Sequence, residues 1–84
     1  MNDPTTIEAR VISAISGMLQ IPLADVKPES EIAALGGGDS LTRVETCMAI
    51  EDHFGIDVSD ADAEPITTVQ GWIDYLTKLP AVNA

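Results

Sequence analysis

Apolar residues recur with a helical period along this chain, and prolines stand where the periodicity stops. Ile7, Val11, Ile15, Met18 and Leu19 share one helical face, because residues three and four apart are neighbours on an α-helix. Asp3-Pro4 predicts the start of that helix, since proline at the first helical position leaves no needed N–H unpaired. The pattern stops near Gln20, before Pro22. A second helix is expected from about Asp39 to Phe54, closed by Gly55, which tolerates the left-handed conformation that ends helices. Ser59 and Asp62 have capping-box spacing for a short third helix, which Pro65 limits to about one turn. Thr67 and Gln70 have the same spacing and open a last helix through Val69, Trp72, Ile73 and Leu76, ended by Pro80. Between the first two helices, residues 22–38 hold Pro28 and three glycines with little periodicity. They read as a long ordered loop pinned by Ile21, Leu23, Val26, Ile32 and Leu35. The expected fold is all-α, a small bundle of three main helices plus one short helix. It forms one domain over residues 1–84, with mobile ends at about 1–3 and 80–84.

Size and charge limit what such a bundle can do. A chain of 84 residues buries only about 60 % of its unfolded surface, so no deep catalytic pocket is expected. Apolar residues make up 45 % of it, enough to fold despite the charge. Phe54, Trp72 and Tyr75 are the only aromatics, so the core must be mostly aliphatic. The net charge of −10 excludes nucleic acid as a partner, because phosphate backbones need a basic surface. It suits partners with basic patches, where charge steers encounter. A single cysteine, Cys47, cannot close an intramolecular disulfide, so a reducing, cytoplasmic setting is expected. Neither a targeting segment nor a membrane-spanning run is read in the chain, and a monomer is expected. His53 has no serine and carboxylate arranged with it as a triad. Asp57, Asp60, Asp62 and Glu64 lack the central glycine and closing glutamate of a calcium loop. No catalytic or metal site follows, and an enzyme is not expected.

One polar stretch stands out: Gly37-Gly38-Asp39-Ser40-Leu41, running into Thr42-Arg43-Val44-Glu45. It puts a serine hydroxyl in the first turn of a helix, behind a glycine-rich loop that offers little steric shielding. The positive end of the helix dipole favours an anion there by about 0.3–1 kcal/mol. Serine is also common at helix starts for capping reasons alone, so these residues by themselves leave Ser40 an ordinary helix-start serine.

The wider pattern points further. Asp39-Ser40-Leu41, Val44-Glu45, Met48-Ala49-Ile50-Glu51, Phe54-Gly55-Ile56, Ile66-Thr67-Thr68-Val69-Gln70 and Ile73-Asp74-Tyr75-Leu76 closely resemble the acyl carrier proteins of fatty acid synthesis. Thr6-Ile7-Glu8 and Arg10-Val11 fit the same family, and the match runs without a gap from about Thr6 to Leu76. The resemblance implies that Ser40 carries 4′-phosphopantetheine, taken from coenzyme A, through a phosphodiester. The arm's thiol would hold an acyl group as a thioester for partner enzymes of fatty acid, polyketide or a specialised lipid biosynthesis. Those partners would be a phosphopantetheinyl transferase and acyl-transferring and condensing enzymes with basic docking patches.

Helical spacing divides the second helix into two stripes. Leu41, Val44 and Met48, bordered by Asp39, Glu45, Glu51 and Asp52, resemble the family's partner-docking surface: apolar contacts inside an acidic border. Arg43, Thr46, Cys47, Ile50 and Phe54 are expected to face the first and last helices. In the family that side lines a cavity for the acyl chain, so Arg43, Thr46, Cys47, Ile50 and Trp72 are the expected cavity lining. It departs from the family by being polar near Ser40 and by placing Trp72 where a small residue is usual. The loop departs too, with Leu35-Gly36 where an acid and a leucine usually precede the glycine. Either a short, polar or charged cargo is therefore expected or one that is not sequestered at all, with Arg43 able to pair with a cargo carboxylate or to snorkel beside a nearby acid. Gly-Gly-Asp-Ser-Leu also resembles the carriers of nonribosomal peptide synthesis. A stand-alone aminoacyl or peptidyl carrier is thus the alternative, and an acidic adaptor without a prosthetic group the second.

Overall fold

The computed structural model describes residues 6–36 and 40–79. Asp39 and the ends expected to be mobile (1–3 and 80–84) lie outside the described residues, while the first helix starts at Ile7 and not at the expected Asp3-Pro4, because Thr6 is extended and its side chain caps the first turn. Helix α1 spans Ile7–Leu19, α2 Ile32–Gly36, α3 Ser40–Phe54, α4 Asp60–Ala63 and α5 Val69–Thr77, and a 3₁₀ turn covers Leu23–Asp25. The architecture is all-α, with α1, α3 and α5 as the long elements.

Helix α1 opens on Thr6, an extended residue whose side chain accepts from the Ala9 N–H at 3.1 Å. It closes on Gln20, held left-handed at φ 58°. The next N–H, from Ile21, returns to the Ser16 carbonyl at 3.2 Å, which completes a Schellman closure. Gly55 repeats the device after α3, with φ 68° and the Ile56 N–H donating to Glu51 O at 3.1 Å. The buried Ser16 hydroxyl donates to the Ile21 carbonyl, so its polar group is satisfied inside.

The core lies where α1, α3 and α5 meet. Val11, Ile15, Ile50, Val69 and Leu76 are fully buried, Trp72 is 1 % exposed, and Ala14, Val26, Ile32, Val58, Ala63 and Ile66 complete the cluster. The Arg10 guanidinium stacks 4.2 Å above the Phe54 ring, while Met18 shares a groove with Glu45, Met48 and Ala49. The start of α1 thus meets the end of α3.

Residues 22–38, expected as loop, contain a 3₁₀ turn and helix α2. Ile32-Ala33-Ala34-Leu35 combines good helix formers with an i, i+3 apolar pair, in a run too short for its period to register. Ile32 and Val26 are buried and Ile21 and Leu35 half-buried, but Leu23, expected to pin this segment, is 59 % exposed.

This connection also caps α5. The Val69 N–H donates to Ser30 O at 3.1 Å, the Gln70 N–H to Pro28 O at 2.8 Å, and the Gly71 N–H to Thr68 Oγ1 at 3.0 Å. These are donors that a helix start cannot pair internally. The capping residue is therefore Thr68, one place after the expected Thr67. Thr67 instead lends its carbonyl to the Ile32 N–H at 2.9 Å, beside the isolated Glu31–Thr68 bridge. Ser59 caps α4 as expected, accepting from Asp62 N–H at 3.2 Å.

Candidate functional site

Ser40 is the first residue of α3. The start of a helix presents N–H groups without intrahelical acceptors and carries the positive end of the dipole, which suits an anionic substituent. The other serines are placed differently. Ser16 donates to Ile21 O, Ser30 accepts from the Lys27 N–H, and Ser59 caps α4. Ser13 is exposed but sits in the middle of α1, away from either helix end.

Directly after Ser40, α3 turns an apolar stripe to solvent. Leu41, Val44 and Met48 are 60 %, 50 % and 61 % exposed; with Leu23 they are the large hydrophobic residues left exposed among those described. Scattered exposed leucines are ordinary, but three at i, i+3 and i+7 form one surface. Glu45 and Asp52 are exposed beside it. Glu51 is half-buried, and its carboxylate accepts the Val58 N–H at 2.8 Å, so it also pins the chain between α3 and α4.

The inward face of α3 holds Thr46 and Ile50 as expected, with Cys47 and Phe54 half-buried against the core, but Thr42 takes the place expected for Arg43. Thr42, Thr46 and Ile50 are buried, an i, i+4, i+8 row, while Arg43 is exposed. Thr42 escaped the sequence reading because threonine carries no apolar signal. The neighbouring Thr46 is buried at little cost because its Oγ1 donates to the Thr42 carbonyl at 2.7 Å.

The expected cavity lining consequently splits. Arg43 and Cys47 line a groove of about 310 Å³ between α3 and α4, together with Val44, Met48, Glu51, Val58, Asp60, Ala63 and Glu64. Thr46, Ile50 and Trp72 lie in the interior instead. Trp72 meets the Tyr75 ring edge-on at 6.0 Å and fills the space between helices rather than bordering the groove. Arg43 Nη1 reaches the Glu64 carbonyl at 3.5 Å, the far limit of a hydrogen bond.

Cys47 is half-buried in this groove. Burial pushes its thiol pKa up, and the carboxylates of Glu51 and Asp60 push it further. The protonated thiol is a poor nucleophile, because the thiolate is the reactive form. Tyr75 Oη donates to Asp62 Oδ2 at 3.1 Å and ties α5 to α4. Asp57, Asp60, Asp62 and Glu64 do not converge: among the described residues no group of three or more His, Cys, Asp or Glu could hold a metal ion. No described helix is long and apolar enough to cross a membrane.

Comparison with protein families agrees with this arrangement. Residues 9–76 match the family described as phosphopantetheine attachment site, a span from the first turns of α1 almost to the end of α5. The same stretch carries the Asp-Ser-Leu, Phe-Gly-Ile and Ile-Thr-Thr-Val blocks that resemble acyl carrier proteins. Domains of this family are carriers: they hold 4′-phosphopantetheine covalently and leave catalysis to the enzymes they visit. A helical bundle of this size, opening its longest helix on a serine, belongs to the phosphopantetheine attachment site family and is a phosphopantetheine carrier protein.

Proposed function

We propose that this chain is an acyl carrier protein whose prosthetic group is attached at Ser40. The observation that carries the reading is the junction at the start of α3. A helix-initial serine is followed at once by the exposed Leu41, Val44 and Met48 stripe, with Glu45 and Asp52 beside it. The bound arm supplies a terminal thiol that holds cargo as a thioester. The chain's own residues bind and orient. The helix start accommodates the phosphodiester charge, the apolar stripe gives contact area, and the acids steer partners bearing basic patches.

The cargo is short or polar. Trp72 occupies the interior, and the groove beside α3 has Arg43, Glu51, Asp60 and Glu64 among its walls, a poor match for a long saturated chain. That same groove supports a second reading as an aminoacyl carrier, because its carboxylates outnumber its single arginine and would favour a cargo ammonium. Loading assays with acyl-transferring and with adenylating enzymes separate the two. The attachment itself is tested by incubating the chain with coenzyme A and a broad-specificity phosphopantetheinyl transferase and weighing it intact. The wild type gains the mass of one phosphopantetheinyl group and Ser40→Ala gains none. A folded wild type of unchanged mass overturns the proposal.

A further inference from the structure

We infer that Arg43 orients the arm: its guanidinium pairs with the phosphodiester on Ser40 and directs the rest of the arm into the groove between α3 and α4. The inference deepens the carrier reading and rests on it. Ser40 and Arg43 are both in α3, three residues apart, and such residues are neighbours on a helix surface, with about 5–6 Å between their Cβ atoms. An arginine fork reaches that far and matches phosphate oxygens with two donors at once.

Arg43 is available for this role. It is exposed, and among the described residues its guanidinium makes one hydrogen bond, the 3.5 Å contact to the Glu64 carbonyl. Releasing so long a contact costs little. Among the described residues it is also the one cation on the groove wall, where Glu51, Asp60 and Glu64 supply negative charge. A phosphodiester placed at the head of α3 in a chain of net charge −10 meets repulsion from these acids. Arg43 is the side chain positioned to offset it. Since Arg43 also lines the groove with Val44, Cys47 and Met48, a phosphate held by it starts the arm along that wall rather than outward over Leu41.

The test compares apo and holo forms of the wild type and of Arg43→Gln, each confirmed by intact mass. Two quantities are read: the Tm change on attachment, and the NMR resonance of the side-chain Nε–H of residue 43 in the wild type. Attachment is expected to shift that resonance and to make the wild-type Tm change more favourable than that of the Arg43→Gln variant by about 1–5 °C, as for an exposed charge pair. Raising the salt to about 0.5 M removes the difference, because it shortens the screening length below 8 Å. Equal Tm changes in the two chains, with an unmoved Nε–H resonance, overturn the inference and leave the carrier reading intact. A wild type that gains no mass overturns both. Because each chain is referred to its own apo form, any purely structural effect of the substitution cancels.

Discussion

The hydroxyl of Tyr75 donates to the carboxylate of Asp62 across 3.1 Å, joining the last helix to the four-residue helix α4. A helix of one turn has almost no stability of its own, so such contacts hold it over the groove. Burial first, and the bond to Asp62 second, push the Tyr75 pKa above its ordinary value. Above the unfolded value of about 10 the folded state keeps a proton that the unfolded chain has lost, so stability falls with rising pH. The contribution is fully present below pH about 10 and is lost as the pH passes through the raised pKa. Tyr75→Phe is expected to cost about 0.5–1.5 kcal/mol in urea unfolding at neutral pH. It should also speed hydrogen exchange in α4 more than in α1. Uniform exchange changes across the bundle would contradict this local role.

Thr67 and Thr68 offer a direct contrast between neighbours. Thr68 Oγ1 caps α5 through the Gly71 N–H at 3.0 Å, whereas Thr67 is exposed and contributes its backbone carbonyl. Thr68→Ala should lower stability by about 1 kcal/mol. Thr67→Ala should stay within about 0.5 kcal/mol of the wild type. Chemical denaturation of the pair decides it, and a reversed order would return the cap to Thr67.

The thiol of Cys47 should be sluggish. Its pKa is raised by burial and then by Glu51 and Asp60, so at pH 8 it holds less thiolate than a free cysteine. Alkylation by iodoacetamide should be slower than that of glutathione, with the rate climbing only at higher pH. Asp60→Asn should speed the reaction at fixed pH by removing one repelling charge, while Asp74→Asn, on α5, should not. A fast, salt-insensitive reaction in the wild type would refute this account.

Trp72 sets the interior. It is 1 % exposed, and Trp72→Ala should cost about 3–5 kcal/mol, much of the stability of a small domain. Trp72→Leu is the milder probe. Loading the wild type with a long saturated chain should leave its Tm nearly unchanged, whereas the same chain on Trp72→Leu should raise Tm by entering the vacated space. A large Tm rise in the loaded wild type would show that the interior can open around cargo with the tryptophan in place.

The helices were legible in the sequence because each depends on local signals. The first stripe and its stop near Gln20 before Pro22, the serine cap at Ser59, the glycine after Phe54 and the Val69–Leu76 face all follow from spacing and from one residue's conformational preference. The row Leu41, Val44 and Met48 was legible too: helical spacing groups it on the helix that Ser40 opens, and its acidic border resembles the family's docking surface. The family blocks made Ser40 stand out from the other serines.

What depended on contacts between distant segments was not legible. The cap at Thr68 and the position of α2 are fixed together by Ser30, Pro28 and Ile32, which meet the start of α5 from about forty residues away. At the edge of the core face of α3, Thr42 lies inside and Arg43 outside, because a short threonine fits against the packed helices whereas a charged guanidinium keeps its water. The sequence by itself determined a helical carrier with a serine at the head of its central helix. Only the tertiary structure decided where the edge of its core face falls, with Thr42 inside and Arg43 outside. Helical period gives the spacing of a stripe, but the packing of α1 and α5 sets which residues at its margin lose their water.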